Sequence, residues 1–131
     1  MLHPNQYQVN ETWITFQLND APVVTDRDGD FNVFALMDAA SCFILGTGFV
    51  STDLKEFSQM EAKRLLTIGY DHKKQYPKEL IIPNSQVANI LIEEAEHSRI
   101  SVVRVPEEQL QVFISEARES FHEHISKGRI Q

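Results

Sequence analysis

The sequence predicts an α/β domain built on a mixed five-stranded sheet flanked by helices, in the order β-β-β-α-β-α-β-α. Three observations carry this. Up to about residue 50, apolar residues recur with the period of two that strands require. From Ser58 onward, apolar stripes take helical spacing. Short apolar runs at 79–82 and 100–105 then alternate with those helical stretches, the pattern of parallel crossovers. A chain of 131 residues suits one domain, here residues 1–131 with 1–10 as a loosely ordered lead-in.

Taken in order, Trp13–Leu18 is a strand in which Ile14, Phe16 and Leu18 alternate with Thr15 and Gln17. Asn19-Asp20-Ala21-Pro22 is a turn, and Val23–Thr25 extends the sheet briefly. Asp28-Gly29 marks a hairpin. The longest nearly uncharged run, Phe31–Val50, folds into a strand over 31–37, a tight turn at Asp38–Ser41 and a strand over 42–50. Gly46 and Gly48 point to a bulge, a bend or close approach of another backbone.

Ser58-Gln59-Met60-Glu61 has capping-box spacing and opens a helix with the stripe Ala62, Leu65, Leu66 and Gly69. Pro77 requires it to stop. Glu79–Ile82 is a strand. Asn84 or Ser85 is suited to cap the next helix, with Val87, Ile90, Leu91 and Ala95 inward and Glu93, Glu94 and Glu96 on a solvated face. Ile100–Val105 is a further strand. Pro106 opens the last helix, with Leu110, Phe113, Ala117, Phe121 and Ile125 as its stripe and Gly128 as its stop.

Composition excludes several function classes. Formal charge is −7, which argues against nucleic acid as a partner, since phosphate binding calls for a basic face. The one basic concentration, Lys73, Lys74 and Lys78, fits a helix C-terminus. The single cysteine, Cys42, reads as a small apolar residue in a reducing compartment. The first residues lack a secretory pattern, and no apolar run reaches the roughly 20 residues of a membrane span. A cytoplasmic protein with no membrane partner is expected.

Sharper motifs fail on spacing. Asp26-x-Asp28-Gly29-Asp30 resembles the start of a calcium loop, but its sixth and twelfth places hold Phe31 and Met37 instead of Gly and Glu. His122 and His124, two apart on a helix, face opposite ways. There is no Gly-x-Ser-x-Gly elbow, and Gly46-Thr47-Gly48 lacks the third glycine of a phosphate loop. Trp13 is a core anchor.

The element order from Glu11 to Ile125 resembles the ribonuclease H-like superfamily, which includes retroviral-type integrase and transposase cores. Two local stretches add to this. Trp13-Ile14-Thr15-Phe16 is similar to the opening strand of integrase cores. Met37-Asp38-Ala39-Ala40-Ser41-Cys42 is similar to their hairpin between the second and third strands. The resemblance implies two metal ions held by carboxylates. The matching places depart from it: Trp13–Leu18 holds no acid, nor does Ile82-Pro83-Asn84, and only Glu107 and Glu108 stand where the late carboxylate belongs. Asp38 falls at the non-catalytic hairpin position.

The expectation is therefore a non-catalytic ribonuclease H-like domain with no cofactor and no metal. It would act through a protein partner or as a homodimer, with the edge residues Phe43, Leu45, Thr47 and Phe49 of the third strand as its contact. The cover could equally come from the chain's own 51–57 segment. A metal-dependent phosphodiesterase or nuclease would need a displaced carboxylate set drawn from Asp26, Asp28, Asp38, Glu107 and Glu108. A small-ligand site would fall at the carboxyl ends of the parallel strands, near Pro83-Asn84 and Val105-Pro106.

Overall fold

The computed structural model describes residues 1–26 and 29–126, with the side chains of Ile125 and Ser126 left aside. Asp28 and Gly128 lie outside the described residues. The elements are β1 (Thr12–Gln17), β2 (Val23–Val24), β3 (Asp30–Asp38), β4 (Ile44–Ser51), α1 (Gln59–Lys73), β5 (Glu79–Pro83), α2 (Asn89–His97), β6 (Ser101–Val105) and α3 (Gln111–Ser126). A 3₁₀ turn at Glu107–Leu110 leads into α3. The sheet has six strands instead of five because the brief extension at 23–24 pairs with the start of β3.

β3 is long enough to take β4 along one side and both β2 and β1 along the other. β5 joins β1 in parallel, and β6 joins β5 in parallel at the far edge. Successive side chains of a strand go to opposite faces. So Trp13 and Leu80 enter a core with Leu65 and Leu66 of α1 and Leu91 of α2. Their neighbours Ile14 and Ile81 enter a second core with Phe113 and Ile114 of α3. The near-continuous apolar runs of β1 and β5 follow from burial on both faces.

Four local expectations are corrected. Ser58 Oγ does accept from Glu61 N at 3.1 Å, but the Glu61 carboxylate turns to β4 instead of closing the capping box. α2 starts at Asn89 without a side-chain cap of its own. Glu56, in the loop before α1, supplies it by accepting from Ile90 N at 2.7 Å. Val87 is therefore outside the helix and exposed. Glu94, expected in solvent, is only 6% exposed. It accepts from Gln59 Nε2 at 3.0 Å, which satisfies one of its oxygens.

The fourth correction concerns β4. A register shift opposite Leu36 and Met37 inserts an extra residue, Leu45. Leu45 consequently joins the α1-side core, while Thr47 and Phe49, opposite Ala35 and Val33, face the α3 side. Phe43 packs edge-on against His72 of α1 at 5.5 Å between rings. The four expected edge residues thus do not share one face. The glycines of this strand serve close approach: a Cβ on Gly46 would stand 2.6 Å from Ile68, and one on Gly48 would stand 2.7 Å from Phe57.

Candidate functional site

The outer edge of β4 is occupied by α1. Glu61 Oε2 accepts from Phe49 N at 2.9 Å, Arg64 Nη2 donates to Thr47 O at 2.8 Å, and His72 Nε2 lies 2.9 Å from Leu45 O. Spacings of three and eleven put these three residues on one side of a helix. Arg64 also pairs with Glu61 at 2.6 Å, and its guanidinium lies 5.8 Å from the Phe49 ring centroid. An open edge strand is a template for another chain. Here three of its backbone groups are taken by side chains, although Phe43 and Phe49 stay 56% and 47% exposed.

The Arg64 guanidinium, helped by the Phe49 amide, holds the Glu61 carboxyl below its ordinary range against the opposing effect of burial. A lowered folded-state pKa gives stability that is present above the ordinary value and lost as pH falls through the lowered one. The stability–pH curve from urea titrations should therefore drop below about pH 4.5. Glu61→Gln should flatten that acid limb.

Among the described residues, the acidic candidates do not meet. Asp38 is buried at the β3–β4 turn, where it accepts from Asn10 N at 2.7 Å, Ser41 N at 3.0 Å and Ser41 Oγ at 2.6 Å. Asp26 is exposed in the loop after β2, and Asp28 lies outside the described residues. Glu108 is exposed. Glu107 is held by Arg118 through two bonds at 3.0 and 3.2 Å, which keep its carboxyl below the usual range. Asp38 stands opposite Trp13, and Arg118 donates to the Gln17 carbonyl at 2.8 Å. Asp38 and Glu107 thus belong to opposite ends of β1, about 13 Å apart along the strand. Among the described residues, no group of three His, Cys, Asp or Glu side chains could hold a metal ion.

At the carboxyl end of β1 and β5 lies a cleft of about 430 Å³. Its lining mixes apolar Phe34, Val50 and Leu54 with the amides Gln17, Asn32 and Gln86: Gln17 stands directly opposite Phe34 and Asn32 opposite Val50, so polar and apolar groups lie side by side on one sheet face. Neutral amides are hydrogen-bonded to one another here. Asn19 Nδ2 donates to Asn32 Oδ1 at 2.9 Å, and Asn19 Oδ1 accepts from Val33 N at 2.8 Å. Gln17 Nε2 donates to Asn19 O at 3.0 Å.

The loop bounding the cleft is pinned from β6. Arg104 Nη2 donates to Pro83 O, Asn84 O and Gln86 O. The charged groups around the cleft balance, with Lys55 and Arg118 against Asp20 and Glu107. Of the residues expected at a small-ligand site, Pro83 is in its lining, together with Ser85 and Glu107, the sequence neighbours of Asn84 and Pro106. The amide pair, Arg104 and Arg118 had no sequence signal, because each acts through a partner distant along the chain.

No family model matches the chain, and no curated protein matches its sequence. Among solved structures, the catalytic core domain of BIV integrase superposes with a TM-score of 0.55 at 9% identity, over 93% of this chain and 74% of that one. The HTLV-2 integrase catalytic core domain, in its dimeric form with magnesium, gives a TM-score of 0.47 at 10% identity, over 85% of this chain and 84% of that one. No helix of the described residues is long and apolar enough to cross a membrane. The order of strands and helices, the antiparallel β1–β3–β4 unit, the parallel β5 and β6, and the superposition on the BIV domain agree: this chain has the ribonuclease H-like fold of the retroviral integrase catalytic cores.

Proposed function

We propose that this chain is a ribonuclease H-like domain that binds and does not cleave, and that the cleft at the carboxyl end of β1 and β5 takes a small, neutral, amphipathic ligand. The observation that carries this is the chemistry of the cleft. Where the resemblance calls for converging carboxylates, the lining carries neutral amides and two acids, Asp20 and Glu107, that are balanced by Lys55 and Arg118, with Glu107 held by Arg118. Hard cations need several charged or carbonyl oxygens turned toward one point. A charge-balanced lining in which amides stand beside Phe34 and Leu54 suits hydrogen bonding to an uncharged molecule that also buries apolar surface. The occupied β4 edge weighs against strand pairing through Phe43, Leu45, Thr47 and Phe49 as the chief mode of action.

The test is a nuclear magnetic resonance titration with neutral nucleosides and primary amides. Amide shifts should cluster at Gln17, Asn32 and Gln86, and Ser85→Trp, which fills the cleft from its rim, should abolish them. Calorimetric titration with magnesium and manganese should be flat. Metal-dependent hydrolysis of a phosphodiester that is lost in Glu107→Gln would overturn the reading.

A further inference from the structure

The two edges of the sheet are built differently. β4 has three of its outer backbone groups taken by α1, whereas β6 pairs with β5 from Glu79↔Ser101 to Pro83↔Val105 and, among the described residues, with no other strand. Ser101 N donates to Lys78 O, and Asn84 N donates to Val105 O. In a parallel ladder, bonding to a given neighbour alternates along the strand. Residues 101, 103 and 105 therefore bond inward, and the N–H and C=O of Val102 and Arg104 point outward. None of the five residues is fully buried, while four of the five in β5 are.

Ser101-Val102-Val103-Arg104-Val105 is rich in β-branched residues and carries no bulge, proline or outward lysine of the kind that blunts an edge. Its one charge, Arg104, folds back onto the 83–86 loop.

We propose that β6 pairs antiparallel with β6 of a second copy about a twofold axis, with Val103 opposite Val103. That register is self-complementary: Val102 of each copy meets Arg104 of the other, and the outward groups form four backbone hydrogen bonds. Charge favours a second copy as the occupant. Arg99 precedes β6 and Glu108 follows it; both are exposed, and neither has a side-chain partner among the described residues. The antiparallel register brings each Arg99 to the end where the other copy's Glu108 lies, and it places no like charges opposite one another. So short a contact gives a weak, concentration-dependent dimer.

Sedimentation equilibrium on the full chain tests this. A monomer–dimer equilibrium is expected in the micromolar range or weaker. Val102→Pro removes an outward N–H that the ladder with β5 does not use, a place where an edge strand tolerates proline. It should weaken the dimer roughly tenfold or more. Arg99→Glu and Glu108→Arg should each weaken it, and the two together should restore it. These exposed positions decide the matter if Val102→Pro does not fold. A chain that stays monomeric at high micromolar concentration, or a dimer unmoved by the charge reversals, overturns the proposal.

Discussion

Trp13→Ala is expected to lower the free energy of unfolding by about 3 to 5 kcal/mol, a large part of the roughly 5 to 15 kcal/mol that holds a domain together. The indole is fully buried, packs edge-on near Tyr76 at 6.4 Å and donates from Nε1 to Asn10 Oδ1 at 2.8 Å. It also lies where α1 comes closest to the sheet. A Cβ placed on Gly69 would stand 2.6 Å from Trp13 Cη2 and 2.8 Å from Leu36 Cδ2. Gly69→Ala in the intact protein therefore overpacks a buried ring, at a cost of about 1 to 3 kcal/mol, against a helix-propensity gain of about 1 kcal/mol. In the Trp13→Ala background the cost should fall, because the ring contacts are gone and Leu36 Cδ2, the remaining close atom, can turn into the vacated space. A double-mutant cycle by urea denaturation measures this coupling. An additive result would remove the indole–glycine contact from the account.

The parts of the fold legible in the sequence are those written in local pattern. Ile14, Phe16 and Leu18 recur at every second position because they all face the one core on the α3 side. Ala62, Leu65, Leu66 and Gly69 recur at helical spacing because α1 lies along one core. Asp38 was legible as a hairpin residue because its partner Ser41 is three positions away.

What escaped depends on who meets whom across the fold. Glu61 has the spacing of a capping box, yet the Phe49 amide and Arg64 take its carboxylate, since α1 runs beside the edge of β4. The cap of α2 comes from Glu56, 34 residues before Ile90. Arg118 reaches the Gln17 carbonyl across 101 residues. Leu45 changed face because one extra residue reverses the phase of a period-two pattern. The order of parallel strands pointed to their carboxyl ends, where Pro83 lines the cleft. The cleft's amide-lined chemistry was not legible, because Asn19 and Asn32 become a pair only when β3 lies against β1.

Asp38→Ala is expected to cost about 3 kcal/mol, and the reasons separate a structural carboxylate from a catalytic one. Oδ1 accepts from Asn10 N, and Oδ2 accepts from both Ser41 N and Ser41 Oγ. Bonds to a charged acceptor are the stronger kind, and alanine leaves the two amides without it. Asn10 is also the partner of Trp13 Nε1 and donates to Gln75 O at 3.2 Å, so the loss passes to the loop after α1. Asn10 sits at φ 64° and Cys42 at φ 60°. Both are left-handed conformations that non-glycine residues hold only when their surroundings require it, and the Asp38 bonds supply part of that requirement.

Asp38→Asn should fall between wild type and alanine. Its amide oxygen can still accept from Asn10 N, while its NH₂ would face Ser41 N, another donor. Ser41→Ala, which loses only the hydroxyl bond, should cost about 1 kcal/mol. The order wild type, Ser41→Ala, Asp38→Asn, Asp38→Ala should appear in urea midpoints with an unchanged slope. An Asp38→Ala variant as stable as wild type would mean that this carboxylate does not hold the turn, and its burial would then call for a role in binding or chemistry.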